Sequence, residues 1–518
     1  MMRKLLIWLL AALCLLGVAQ AESIEGEWKF IGWVERGEFE EGTEYSDSWV
    51  YIFDSNGRLT YLEDGGERPG VWEEKNGVIY RVVNGRKDRV VFRADGTLLI
   101  GSWDWAQVFS HDGKVPATKK LEPGKTKDGL LYEPAGDGSL KITGHESNEI
   151  QAEYDDNGLT NPVDIVIPAS IGGVPVSKVE SFAFRGNQRI VSIRIEEGVH
   201  YVGREAFSEC GNVASIELPD SLTAIESYAF NANNRVTEVA LPYGLQDVGI
   251  NPFASSECLG SFTLAEDHIW LELVDGALIN RREGELLAFP AAHTASSYTV
   301  PAHVTVIGTA AFMGCGGLQH VILHEKVVEM GSYAFERSGL VEIALPASLE
   351  EIDSNPFSVC KSLKSVTIAE ENPVYYSTDG VMFSRKENAL IYYPMGKTDT
   401  TYTIPGSTKL VEYDAFIRQP YLTTLIIEEG VETIQPYAFY GMKNLQSVSI
   451  PETVTRVGGY AFAECKNLRQ IEYPASVAQV EYGTFAYGSL KKLIIAEGTT
   501  VEEGAFENAR EEVVIEYK

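Results

Sequence analysis

The chain has 518 residues, of which 44% are hydrophobic and 10% aromatic, and its formal net charge is −31. That apolar content excludes a disordered chain and supplies a packed core, and the length leaves room for more than one domain. The acidic excess repels phosphate backbones and anionic lipid, which sets aside nucleic acid and membrane surface as partners.

Residues 1–21 read as a secretion signal. Arg3 and Lys4 give the positive start, residues 5–18 the apolar stretch, and Ala19-Gln20-Ala21 the small-residue cleavage site. The apolar run is short for a bilayer span, and Cys14 lacks the preceding small residue of a lipoprotein signal. The expected product is exported, with no integral membrane segment after cleavage.

Residues 22–113 hold six tryptophans, Trp28, Trp33, Trp49, Trp72, Trp103 and Trp105, whereas the rest of the mature chain holds only Trp270. Short alternating segments (49–53, 58–62, 78–80, 97–100) are separated by Asn56-Gly57, Asn76-Gly77 and Asp95-Gly96. Such pairs suit the left-handed turns of tight hairpins. The pattern predicts an antiparallel meander closed as a small β-barrel. Gly26-Glu-Trp28, Phe53-Asp-Ser-Asn-Gly57, Gly70-Val-Trp72 and Val108-Phe109 follow an order that resembles lipocalin-like domains. That resemblance implies a barrel able to hold a small ligand, with Trp28, Trp49, Trp72 and Trp103 as its candidate cavity or core residues. Residues 114–128, with two prolines and five lysines, read as a linker.

From residue 129 to 518 one dipeptide keeps returning, a small residue followed by phenylalanine. Phe184, Phe207, Phe230 and Phe253 form one group, Phe312, Phe335 and Phe357 a second, and Phe416, Phe439, Phe462, Phe485 and Phe506 a third. The spacing is 23 residues, shortening to 22 before Phe357 and to 21 before Phe506. A period of this size predicts a solenoid of about twelve coils, each burying its apolar side against its neighbours. In the copy beginning at Ala206, Ile216 and Leu218 alternate with Ser215 and Glu217, which gives a short strand with two side chains inward and two outward. Pro219 ends the strand, and the stacked phenylalanines are expected to form a buried spine.

Two intervals, Phe253 to Phe312 and Phe357 to Phe416, span 59 residues each. Both carry one insertion: Asp275-Gly276 followed by Leu286-Leu-Ala-Phe-Pro290, and Asp379-Gly380 followed by Leu390-Ile-Tyr-Tyr-Pro394. These read as β-hairpins that enlarge a coil. The Ala-Phe-x-x-Cys-x-x-Leu unit, the strand ending in Leu-Pro or Ile-Pro and the Asp-Gly hairpin together resemble the BspA-type leucine-rich repeat family. The resemblance implies a secreted or surface protein linked to adhesion and to binding of host matrix. The overall expectation is a mainly β protein, a lipocalin-like barrel followed by a leucine-rich repeat solenoid.

Motifs for chemistry are sparse. No two of the eight histidines show the helical spacing of a zinc protease, and His320 and His324 flank a strand, where that interval leaves them about 13 Å apart. Ser358-Val-Cys-Lys361 spells the Ser-x-x-Lys of some acyl-transfer enzymes but falls where each unit has Phe-x-x-Cys. Asp155-Asp-Asn-Gly158 lacks the later acidic ligands of a calcium loop and reads as a turn. Cys210, Cys258, Cys315, Cys360 and Cys465 read as small buried fillers, because in-register cysteines two coils apart sit roughly 9–10 Å from each other, beyond disulfide reach. No enzymatic motif, cofactor or metal is expected.

A binding surface is easier to place. The outward strand positions of successive coils make a column, Arg194, Glu217, Ala240, Thr263, Ile322, Ala344, Thr367, Ile426, Ser449, Glu472 and Ile494, uncharged in its middle from Ala240 to Ser449. Such a strip framed by polar residues suits a protein or glycan of a host or neighbouring cell. Tyr375, Tyr376, Tyr392 and Tyr393 in the second insertion are further candidates for contact, though some must be core. The expected function is non-enzymatic adhesion or recognition through the solenoid; the alternative is a carrier whose barrel holds a small molecule and whose repeats serve as a spacer.

Overall fold

The computed structural model describes residues 122–518, except 136–138, 156–157 and 511, together with strands between Gly26 and Ser110 whose side chains, Val90 apart, are not described. In that first segment nine strands pair antiparallel, and from Val50–Phe53 onward each pairs with the next along the chain. The signal expected at 1–21 lies outside the described residues, as do the side chains of Trp28, Trp49, Trp72 and Trp103. Tyr154–Asp155 pairs antiparallel with Gly158–Leu159, while Asp156 and Asn157 of the calcium-like motif lie outside the described residues.

The rest of the chain is a β-solenoid. Each coil contributes one strand of about three residues with a clean in–out alternation. In Ser215–Glu217 the outer two side chains are exposed and Ile216 is buried, and the same pattern recurs in Glu238–Ala240, Ser261–Thr263 and His320–Ile322. Successive strands run parallel and in register, so that Ile193 faces Ile216 and Val239 faces Phe262. A two-residue strand forms a second column on another side of the coil, with Tyr201–Val202, Ala224–Ile225 and Asp247–Val248 paired in turn.

The phenylalanine sits in the turn that joins these sides, and the turn has its own backbone rule. The residues two before and two after it adopt left-handed conformations: Tyr437 (φ 60°) and Gly441 (φ 72°) around Phe439, Tyr460 (φ 58°) and Glu464 (φ 57°) around Phe462. A non-glycine residue resists this conformation by roughly 1–2 kcal/mol. The offset lies in hydrogen bonding, because the alternation turns every second N–H toward the next coil. Tyr437, Phe439 and Gly441 donate to the carbonyls of Gly459, Ala461 and Ala463 at 3.2, 3.0 and 2.9 Å. The intervening Ala438 and Tyr440 close tight turns within their own coil. The turns thus form a third ladder, which makes each coil depend on its neighbour.

The aromatic spine is present. Ring centroids lie 4.7 Å apart for Phe184 and Phe207, 5.4 Å for Phe207 and Phe230, 5.0 Å for Phe312 and Phe335, and 5.1 Å for Phe439 and Phe462. Most of these rings are fully buried. At the insertions other aromatics continue the stack. Phe289 packs 5.4 Å from Phe312, while Tyr392 lies 5.5 Å from Phe357 and Tyr393 4.9 Å from Phe416. Tyr392 and Tyr393 are therefore spine residues, and Tyr375 is buried as well. That corrects the expectation that they face a partner; Tyr376 alone stays half-exposed, with the Arg385 guanidinium 4.9 Å over its ring.

Four cysteines are buried fillers, as expected, but Cys258 is exposed. It lies two positions past the register of the others, beyond the inward-facing site.

Candidate functional site

The column of outward strand positions exists as a register. Arg194 is opposite Glu217, Ala240 opposite Thr263, Ala344 opposite Thr367, Ile426 opposite Ser449, and Glu472 opposite Ile494. Val166 opposite Arg194 and Glu516 opposite Ile494 extend the column at its ends, and two members within it were missed: Thr299 opposite Ile322, and Thr403 opposite Ile426. The insertions break the 23-residue count there, and the signal that remained was the local pattern Tyr298-x-Val300-Pro301 and Tyr402-x-Ile404-Pro405.

From Ala240 to Ser449 every position of this column is exposed and none is charged. Ile322 is 55% and Ile426 38% exposed, which is high for isoleucines in strands. On the flanking outward column Ser261, Ser297, His320 and Ser447 are exposed, with carboxylates at Glu238 and Glu342. Charges frame the strip at Arg194 and Glu217 on one side and Glu472 on the other. Arg194 pairs with Glu196 (3.1 Å), and Glu472 receives the Lys518 ammonium (2.6 Å).

The insertions border this face and leave its members exposed. In the second, Tyr375–Thr378 and Val381–Ser384 form a hairpin whose Asp379 and Gly380 adopt left-handed conformations at its tip. The Val366 N–H donates to the Gly380 carbonyl at 3.0 Å, and Ile368 N–H to the Ser377 hydroxyl at 3.1 Å, so the tip lies against the strand Ser365–Ile368. Lys397 fixes the tip through Asp379 (2.8 Å) and Asp399 (2.9 Å). Burial opposes the Lys397 charge, but those two bonds raise its pKa nevertheless, and the bond from Lys397 holds Asp399 below the ordinary carboxylate range. The strip is thus divided into three blocks, Ala240 with Thr263, Thr299 through Thr367, and Thr403 through Ser449.

The sparse chemical motifs stay apart from one another. Ser358 is buried while Lys361 is exposed. His320 lies on the outward face, and His324 directs Nε2 at the Pro301 carbonyl, 2.8 Å away. Among the described residues no group of three His, Cys, Asp or Glu side chains is placed to hold a metal ion, and no helix is long and apolar enough to cross a membrane.

Comparison with known proteins settles the family. The BspA type leucine rich repeat region, in six copies, matches residues 160–271, 287–389 and 395–512, well over half of the chain. The chain belongs to the BspA-type leucine-rich repeat family. No curated protein matches it. Among solved structures it is similar to a leucine rich cell surface protein from Faecalibacterium prausnitzii A2-165, with 22% identity over 77% of this chain and 96% of that one and a TM-score of 0.43. It is also similar to the pneumococcal vaccine antigen PcpA, with 21% identity, 77% and 89% coverage and a TM-score of 0.38. A leucine-rich repeat protein from Eubacterium ventriosum matches at 18% identity, 74% and 94% coverage and a TM-score of 0.39. In this BspA-type chain the outward strand column differs from coil to coil, while the spine and the turn ladder repeat.

Proposed function

We propose that this is a secreted or cell-surface, non-enzymatic protein that recognises a protein or glycan of a host or neighbouring cell through the outward strand face of its solenoid. The observation that carries this reading is the uncharged, exposed column from Ala240 to Ser449 in a chain of net charge −31. Solvated strand faces in so acidic a protein would ordinarily carry charge, and two projecting isoleucines are suited to desolvation by a partner. Family membership supports surface display and a binding role, and the signal-like residues 1–21 support export.

The test is to incubate the full chain with immobilised matrix proteins and a glycan array, beside the double variant Ile322→Glu/Ile426→Glu. Binding by the wild type that the double variant loses supports the reading. Uniform silence of the wild type, or equal binding by the variant, sinks it.

A second reading places a small-molecule carrier at the N-terminus. The pairing of strand Gly26–Glu35 with Trp105–Ser110, at the far end of the meander, favours a closed lipocalin-like barrel there. Quenching or shift of tryptophan fluorescence on adding apolar ligands tests it, since six of the seven tryptophans beyond residue 21 lie in that segment.

A further inference from the structure

The two insertions are internal copies, 104 residues apart: Phe253 corresponds to Phe357, the tip Asp275-Gly276 to Asp379-Gly380, and Phe312 to Phe416. One of the differences between them lies in a cleft on the turn side. The first copy has an open cleft of about 400 Å³, with Ser255, Glu257 and Arg337 as its polar walls and Ala291, Gly314, Gly316 and Gly317 completing the lining. At the corresponding positions the second copy has Val359, Lys361 and Gly441, and then Met395, Arg418, Pro420 and Tyr421. Arg418 lies across Gly441, where an added Cβ would stand 2.8 Å from its Cγ.

Contacts with neighbouring atoms do not demand the three glycines of the first copy. A Cβ at Gly314, Gly316 or Gly317 would meet no atom closer than 3.6 Å. Gly314 is left-handed (φ 80°), but so is Arg418 at the same position of the other copy (φ 54°). The glycines therefore serve to keep volume free, and that volume lies within the range of small-ligand sites, ~300–1,000 Å³.

The walls define the chemistry of an occupant. Arg337 offers only donors, and its Nη2 already holds the Ser255 hydroxyl at 2.7 Å. Glu257 offers only acceptors. A free anion is disfavoured by Glu257 in the wall and by the Glu336 carboxylate 3.6 Å from the Arg337 Nε, a cation by Arg337 itself, and an apolar group by the lack of any apolar side chain larger than Ala291 in the lining. Adjacent hydroxyls on one ring satisfy both walls, since each accepts from the guanidinium and donates to the carboxylate. We propose that this cleft binds a neutral sugar unit of a glycan through vicinal hydroxyls, with Arg337 as the donor and Glu257 as the acceptor. The site lies on the turn side, away from the strand column, and is independent of the function proposed above.

The test uses the full chain and saturation-transfer NMR, with methyl glycosides of glucose, galactose, mannose, fucose and N-acetylglucosamine as probes and acetate and glucuronate as anionic comparisons. Two variants remove the site: the exchange Gly314→Arg/Arg337→Gly, which installs the second copy's residues, and Arg337→Met, which keeps the aliphatic stem. The expected result is transfer to at least one neutral glycoside, weakened about tenfold or more in whichever variant retains the wild-type unfolding temperature, as befits a charged hydrogen-bond donor, and unchanged in Ile322→Glu/Ile426→Glu. Transfer to no neutral glycoside, to the anions alone, or equally in the folded variants overturns the proposal.

Discussion

The side-chain amide of Asn355 donates to the backbone carbonyl of Asp414, 59 residues later, at 3.2 Å, while its carbonyl oxygen accepts the N–H of Phe357 at 3.0 Å. Asn251 does the same between Ala310 (2.7 Å) and Phe253 (3.3 Å). These are the two coils that precede an insertion, and in both an asparagine side chain does what a left-handed backbone does elsewhere in the turn ladder. Asn355→Ala leaves two buried backbone groups unpaired and should destabilise by about 1–3 kcal/mol. The same holds for Asn251→Ala, and the two losses should add in urea titrations because the sites share no partners.

The spine should be weakest at its end. Phe335 is fully buried between Phe312 and Phe357 (5.0 and 5.8 Å), so Phe335→Ala is expected to cost about 3–5 kcal/mol. Phe506 is only partly buried, and among the described residues its ring stacks on Phe485 alone. Phe506→Ala should cost clearly less, and hydrogen exchange should show opening confined to the last coils.

Gly483 is held by two constraints. Its φ is +69°, and an added Cβ would stand 2.5 Å from Cε1 of Tyr460. Gly483→Ala should destabilise by more than about 1 kcal/mol. Tyr460→Ala in the same chain should recover the steric part and leave the conformational part; full additivity of the two changes would refute the contact.

Asp414 is buried in the turn ladder, and burial together with the nearby Glu336 carboxylate pushes its pKa up to about 7, against the partial opposition of Arg418. The folded value lies above the unfolded one of about 3.9, so the native state binds the extra proton and stability falls as pH rises between those values. Asp414→Asn, whose side chain tolerates the left-handed φ of 57°, should be more stable than the wild type at alkaline pH. The gain should vanish below about pH 4, where both states of Asp414 are protonated.

Thiol reactivity separates Cys258 from the others. Burial pushes the thiols of Cys210, Cys360 and Cys465 up to about 12, and that of Cys315 higher still. In the native chain prepared without residues 1–21, and so without Cys14, a maleimide should modify Cys258 and spare these four until denaturant is added, and Cys258→Ser should abolish the native reaction. Labelling of the four at the rate of Cys258 would contradict their burial.

Much of this architecture was legible in the chain. The 23-residue recurrence of phenylalanine, the in–out alternation at Ser215–Glu217 and the duplicated Asp-Gly hairpin are local signals, because each repeat meets only its neighbours and writes the same contacts into its own residues. The uncharged column could be written down for the same reason. Thr299 and Thr403 escaped because their alignment depends on how a hairpin is accommodated. The roles of Tyr392, Tyr393 and Cys258 followed from burial, which no residue's identity reports.

What the sequence determined alone was the repeat and what it stacks, since one period specifies a coil and identical coils have one way to bury a common side. What only the tertiary structure decided was how the two irregular coils are joined. The asparagine bridges and the cleft beside Arg337 arise where residues 59 to 82 positions apart meet, and the aromatics that continue the spine where residues 23 to 35 apart meet across an insertion; each pairing depends on the path of the chain between its members.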